Sequence, residues 1–343
     1  MTLTKEVAMK QYVIDGTFTI DGLRMEGTDI PRPGCGQVLV RIRAASLNYR
    51  DLLMATGNYS RNLKLPLVPL SDGAGEVVEV GEGVTRWKAG DRVAPIFFQN
   101  WLAGGITPDV PPSALGGGCD GILREYALFG EEGLVSLPPH LSFEEGATLP
   151  CAGVSAWNCL YSGNLTCGDT VLVMGSGGVS VFALQLAGAA GARVIATSGS
   201  DAKAERLKGL GASDVINYRS EPAWEKRVLE LTGARGADIV VEVGGAGTLA
   251  QSIKATRLGG HISLLGVLSG QRGEVNPLPA VMKAIRIHGI YVGSRAMFEA
   301  MNRVISLHAI HPVIDRVFPF SEVAQAFRHL ESGAHVGKVV IAL

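Results

Sequence analysis

The 343-residue sequence has no excess of either charge: thirty-one Lys and Arg face thirty-two Asp and Glu, for a formal net charge of −1. Without a basic stripe, neither nucleic acid nor an anionic membrane surface is an expected partner. No uninterrupted apolar run reaches the ~18 residues of a membrane span. The first residues, MTLTKEVAMKQYVIDG, carry charges where a signal peptide needs an apolar core. A cytoplasmic protein is therefore expected. Cysteine is scarce and unpatterned: Cys35, Cys119, Cys151, Cys159 and Cys167 are odd in number and contain no C-x-x-C pair. Reduced thiols are expected rather than a disulfide framework. Charged residues make up only 18% of the chain against 47% hydrophobic, which marks a folded protein with large buried sheets. Its length suggests about two domains.

The most informative stretch is Thr170 to Ser200, TVLVMGSGGVSVFALQLAGAAGARVIATSGS. A β-branched run from Val171 to Met174 leads into Gly175-Ser176-Gly177-Gly178. Apolar residues at helical spacing follow from Val179 to Ala190, and then a second extended run from Arg193. In such a strand, turn and helix, Gly175 permits the tight turn and Gly177 lets backbone approach a pyrophosphate. The amides at Gly178 and Val179 would face the anion. The third glycine of the usual spacing is replaced by Ser180. The reading is a dinucleotide site, with an ordinary glycine turn as the alternative.

Elsewhere two textures alternate. From Gln11 to about Phe129, short strands separated by Gly and Pro predict a barrel-like antiparallel β domain. Phe97 to Cys119 reads as a long loop, functional or mobile. Ser142-Phe-Glu-Glu has the shape of a capping box and predicts a helix start. After Ala196 helices and strands alternate as far as Val292, which predicts a doubly wound parallel sheet. The final strands, Val313 to Val317 and Lys338 to Leu343, would return to the first domain. The expected division is an α/β chain with a catalytic β-rich part at 1–129, a Rossmann domain at 130–293, and a return to the first domain at 294–343.

With these residues placed, the chain resembles the medium-chain dehydrogenase/reductase superfamily along nearly its whole length. The motifs that carry the resemblance are Leu47-Asn-Tyr-Arg-Asp, the run from Asp72 to Gly81, Lys88-Ala-Gly-Asp-Arg-Val, Leu149-Pro-Cys-Ala-Gly-Val-Ser-Ala-Trp, the glycine turn, and Val336-Gly-Lys-Val-Val. The resemblance implies a GroES-like catalytic domain, a Rossmann domain, a nicotinamide cofactor in the cleft between them, a small-molecule substrate, and a homodimer joined through the last Rossmann strands.

Zinc-using members hold the catalytic ion with Cys, His and Cys, and the matching positions here are Asn48, Ser71 and Cys151. One ligand of three is too few, so no zinc is expected. The zinc-free quinone oxidoreductase and enoyl reductase branch is the better match. There the resemblance implies that Asn48 lies near the nicotinamide. It also makes Tyr59 a candidate proton donor; a loop aromatic lining a pocket is the alternative. Phe98, Trp101 and Cys151 are the expected walls of the substrate pocket.

An NAD-preferring site places an acid ~20 residues past the first glycine, at the end of the second strand. Here that place holds Thr197-Ser198-Gly199-Ser200, with no acid. Lys203 and Tyr218 match positions that contact the 2′-phosphate in NADPH-using relatives, and Ser198 and Ser200 lie beside them. NADPH is the expected cofactor, with NADH possible because Asp201 is close by. Gly244, Gly266 and Val267 are expected further along the same cofactor. The expected activity is zinc-independent reduction of a quinone or an α,β-unsaturated carbonyl. The alternatives are an alcohol or aldehyde dehydrogenase of the same superfamily and an NADPH-binding protein without turnover.

Overall fold

The structure is a computed structural model that describes residues 8–59, 63–270 and 272–343. The chain divides into two compact units, residues 1–151 with 293–343, and residues 152–292.

The first unit begins with strands β1 (Ala8–Val13) and β2 (Arg24–Asp29), an antiparallel pair. The long strand β3 (Gln37–Leu47) follows and runs directly into helix α1 (Tyr49–Ala55). Next come β4 (Asp72–Val80), β5 (Arg92–Pro95), β6 (Tyr126–Gly130), β7 (Leu134–Ser136) and the short helix α2 (Phe143–Gly146). The helix start expected at Ser142 is present. Ser142 Oγ accepts from Glu145 N and Glu145 Oε2 from Ser142 N, the reciprocal pair that satisfies two orphan amides.

The second unit opens with α3 (Val154–Ser162) and then alternates strictly: β8 (Thr170–Met174), α4 (Gly178–Ala189), β9 (Arg193–Ser198), α5 (Asp201–Gly209), β10 (Asp214–Asn217), α6 (Trp224–Leu231), β11 (Ala237–Glu242), α7 (Leu249–Ala255), β12 (Thr256–Leu264), α8 (Leu278–Met282) and β13 (Arg286–Gly289). Its six strands are parallel, in the order β10-β9-β8-β11-β12-β13. The order reverses between β8 and β11, the switch point at which doubly wound sheets bind ligands. Every residue of β8 and β11 is buried, which explains why their sequences are apolar runs without alternation. The core of this unit gathers Leu172, Ile195, Val240, Ile253 and Ile262.

The last fifty residues rejoin the first unit as α9 (Arg295–Leu307), β14 (Ile314–Pro319), α10 (Val323–Glu331) and β15 (Lys338–Ala342). Strand β15 lies between β14 and β3 in a seven-stranded sheet, with Val339 opposite Leu47. Phe318, Phe327 and Ile341 pack in one core with Val38, Val40 and Ile42. The chain therefore has to return before this core can close.

The expected boundary at 129/130 differs from the division at Cys151. Residues 130–151 stay with the first unit because β7 pairs with β5, α2 packs on β3 and β4, and Cys151 N donates to Asp72. The long loop after Phe97 is tied at several points, with Leu115 N bonded to Phe97 O and Gln99 N to Ser113 O, both at 3.1 Å.

Candidate functional site

In the second unit the glycine turn sits at the carboxyl end of β8. Gly175 has φ +77°, a conformation that only glycine adopts without strain. A Cβ built on Gly175 or Gly177 would meet nothing within 4 Å, so open space lies against this backbone, as a bound diphosphate requires. Gly177 caps α4, whose first residues are Gly178 and Val179. Ser180, in place of a third glycine, is buried and donates from Oγ to Met174 O at 2.6 Å. It ties the helix to the strand and leaves the free amides at the turn. A dinucleotide fits this end of the sheet.

At the end of β9, Ser198 is buried and its Oγ donates to Ser200 O at 3.1 Å. Ser200 caps α5 by accepting from Lys203 N at 3.4 Å, so its hydroxyl already serves the helix. Asp201, the acid nearest the expected ribose position, accepts from Asn217 Nδ2 at 2.7 Å. Tyr218 and Arg219 close over Gly199: a Cβ there would lie 2.5 Å from the Tyr218 hydroxyl and 3.5 Å from Arg219 Nε. Sequence reading missed Arg219. Its signal was its place directly after Tyr218.

A second loop follows β11. Glu242 is fully buried, and its Oε1 accepts from Gly244 N at 2.7 Å, Gly245 N at 3.0 Å and Thr248 Oγ1 at 2.7 Å, while Oε2 accepts from Ser252 Oγ. One carboxylate thus shapes the turn that carries Gly244. A Cβ on Gly266 would strike Val243 O at 1.9 Å, so these two loops lie backbone against backbone. Gly245, Leu265, Gly266, Val267, Ile290 and Tyr291 help line an open recess of about 560 Å³ at this end of the sheet. Glu242 is also absent from the sequence reading, because a glutamate closing a strand announces nothing about where its carboxylate points.

In the first unit Asn48 stands between β3 and α1 as the helix cap, with its backbone N donating to Asp51 Oδ2 at 2.8 Å. Its side chain enters a buried polar cluster. Asn48 Nδ2 lies 3.4 Å from Ser71 Oγ, Ser71 Oγ donates to Asp72 Oδ1 at 2.8 Å, and Cys151 N donates to Asp72 Oδ2 at 3.1 Å. The three positions matched to zinc ligands are therefore brought together. Leu70, just before Ser71, has φ +69° and is fully buried, a strained conformation for leucine that fixes where Ser71 and Asp72 point.

Lys338 completes the cluster. Nζ donates to Leu47 O at 2.6 Å and to Asn48 Oδ1 at 2.5 Å, and it lies 3.9 Å from Asp72 Oδ2. Burial pushes the Asp72 carboxyl up, an effect that Lys338 and the bonds from Asn48 and Ser71 oppose. Burial, with Asp72 beside it, also pushes the Cys151 thiol up, away from the thiolate that binds metal. Asp51, fully enclosed, is raised to about 6 by desolvation, with Arg50 pulling the other way. A thiol, an amide, a hydroxyl and a carboxylate sharing their space with an ammonium do not fit a zinc ion. Among the described residues there is also no group of three or more His, Cys, Asp or Glu that could hold a metal.

Tyr59 lies beyond the far end of α1 from Asn48, 47% exposed, with its ring centroid 5.7 Å from the Arg50 guanidinium carbon. Arg50 also stacks on Phe97 at 4.8 Å and donates to Leu115 O at 2.7 Å. Asn48 caps the start of α1, and Tyr59 follows its other end. Phe98 corrects the expected pocket wall. Its ring is wholly enclosed against Phe97 and Trp101 and offers no surface to a substrate. The reason is that the loop folds back on itself at Leu115 and Ser113. Trp101 is nearly buried, with Nε1 bonded to Gly104 O at 3.0 Å.

Residues 34–139 match the family model described as the alcohol dehydrogenase GroES-like domain, and residues 178–306 match the one described as zinc-binding dehydrogenase. A zinc-type alcohol dehydrogenase-like protein of Schizosaccharomyces pombe is 44% identical, over 98% of this chain and 100% of that one. The quinone oxidoreductase of Homo sapiens is 29% identical, over 92% of this chain and 91% of its own. A crystal structure of an NAD-dependent alcohol dehydrogenase superposes with a TM-score of 0.90 at 35% identity, covering 98% of this chain and 100% of the other. With both halves of the chain accounted for in this way, the protein belongs to the medium-chain dehydrogenase/reductase superfamily and is an NAD(P)H-dependent oxidoreductase.

Proposed function

We propose that the protein reduces a quinone or an α,β-unsaturated carbonyl with NADPH and without zinc. The observation that carries this reading is the cluster around Asn48, where an amide and a hydroxyl, Asn48 and Ser71, stand at two of the three positions matched to zinc ligands and the Lys338 ammonium is bonded to Asn48 Oδ1. Oxidising an alcohol needs a strong stabiliser for an alkoxide, usually a Lewis acid. Reducing a quinone or enone leaves a delocalised phenolate or enolate, which a few hydrogen bonds can hold.

NADPH, when bound, supplies the hydride. Gly175, Gly177 and the first turn of α4 hold its diphosphate. Lys203, Tyr218 and Arg219 are the proposed partners of a 2′-phosphate; Tyr218 and Arg219 lie over Gly199 at the end of β9, and Asp201 accepts a hydrogen bond from Asn217. Asn48 Nδ2 donates to the developing oxyanion, and the Tyr59 hydroxyl supplies the proton that completes the product. The quinone oxidoreductase among the relatives supports this reading. The alcohol dehydrogenase names of two others favour a second one, oxidation of an alcohol with NAD.

We also propose a homodimer in the cytoplasm. The sheet of the second unit ends on β13, whose residues are all exposed, and Val281 and Met282 beside it are 71% and 72% exposed. An unpaired strand edge flanked by apolar side chains suits a second copy.

Cofactor absorbance followed with a quinone, an enone, an aldehyde and an alcohol, each with NADPH/NADP and NADH/NAD, tests the activity. The expected result is NADPH-dependent reduction of the quinone or enone by protein free of zinc. Turnover confined to the alcohol, or stoichiometric zinc in the active preparation, would refute it.

A further inference from the structure

Lys338 opens β15, and the pairing of Val339 with Leu47 sets its side chain against the end of β3. That side chain is only 4% exposed. A buried ammonium is costly unless its N–H groups are bonded and its charge is balanced. Here Leu47 O and Asn48 Oδ1 accept from it, and Asp72 Oδ2 faces it at 3.9 Å. The neighbouring charges close the account: Asp51 is the second buried carboxylate, and Arg50 Nη1 stands 3.9 Å from its Oδ1. Two carboxylates and two cations cancel in formal charge.

The geometry also decides how the Asn48 amide lies. An amide has one accepting and one donating end, and turning it over would set Nδ2 against the ammonium, donor against donor. With Oδ1 held by Lys338, Nδ2 is the end turned to Ser71 Oγ and the Asp72 carboxylate, and a substrate oxygen reaches this donor by taking the place of one of them. A divalent ion among these same donors would have to share their space with a positive charge.

We infer that Lys338 is a positioning residue that takes the place of a metal ion: its ammonium compensates Asp72 and holds Asn48 with Nδ2 presented to the substrate. The inference rests on the reductase reading for the role of Nδ2 alone. The placement of the ammonium stands without it.

Lysine-selective 15N NMR on the full-length protein tests the placement. The Lys338 ammonium resonance should persist at neutral pH and room temperature, where solvent-exposed ammonium groups exchange too fast to observe. It should vanish in Lys338→Arg and shift in Asn48→Ala. A spectrum without such a signal, or one indifferent to both substitutions, overturns the inference. So does stoichiometric zinc retained by the wild type after dialysis in zinc-containing buffer. The role is tested by turnover: Lys338→Met should lower kcat about 10²-fold while KM changes less than threefold, with at least tenfold recovery in Lys338→Arg. Unchanged kcat in folded Lys338→Met refutes positioning. If the wild type reduces neither quinone nor enone, the reductase reading fails while the NMR result still decides the placement.

Discussion

Lys338 Nζ and Asn48 Oδ1 stand 2.5 Å apart although 290 positions separate them in the chain. The contact exists because β15 is inserted beside β3, so that a residue at the very end of the chain reaches the cap of its first helix. Five ionisable groups, Arg50, Asp51, Asp72, Cys151 and Lys338, crowd this place, and their burial makes it sensitive to pH.

Asp51 is the group to follow. Its carboxyl is raised to about 6, chiefly by desolvation, against about 3.9 in an unfolded chain. Between these values the folded state binds more protons than the unfolded one, so stability falls as pH rises through that window. The loss should approach about 2 to 3 kcal/mol at neutral pH. Urea unfolding from pH 4 to 7 should show this slope in the wild type and a flatter one in Asp51→Asn.

Tyr59→Phe should reduce turnover of an enone by about 10²-fold, the usual worth of a positioned acid, with NADPH affinity unchanged. Turnover equal to the wild type would leave the tyrosine as a loop aromatic stacked on Arg50.

Glu242→Ala removes the acceptor from two backbone amides and leaves the Thr248 and Ser252 hydroxyls with only their longer contacts to Gly245 O and Met174 Sδ. Orphaned buried donors cost about 1–3 kcal/mol each, so a loss of at least about 3 kcal/mol is expected in chemical denaturation. Because the loop bearing Gly244 would relax, cofactor affinity measured by fluorescence titration should also fall.

Cofactor choice can be read from Lys203→Ala and Arg219→Ala. Each should raise the Kd for NADPH by about tenfold, one charge-assisted bond, and leave that for NADH within twofold. Equal effects on both cofactors would remove the 2′-phosphate from the explanation.

At the sheet edge, Ile287→Glu with Val281→Glu should convert a dimer to a monomer in light scattering, because both side chains are exposed in the single chain. A mass that does not change, whether that of a dimer or a monomer, would count against this edge as the interface.

Most of the second unit was legible in advance. Fully buried parallel strands are continuous apolar runs, and glycine turns and helix caps carry local signatures, so β8 and β9 lie close to the runs at Val171–Met174 and from Arg193, and helices and strands alternate after them as the pattern predicts. Helix α1 was harder: Tyr49–Ala55 is short, and its start is marked by Asn48 bonding Asp51 rather than by an apolar repeat. Phe98 was misread because an aromatic in a loop looks the same in sequence whether it faces a ligand or the loop's own return strand.

By itself the sequence determined the two folds, the glycine turn, the missing acid after β9 and the loss of two of three metal-type side chains, because each is a matter of residue type at a local spacing. Only the tertiary structure decided that Asp201 turns to Asn217, that Glu242 shapes the Gly244 loop, and that Lys338 lies among Asn48, Ser71 and Asp72. Those are relations between side chains that strand pairing and burial bring together, and desolvation is what gives them their consequence.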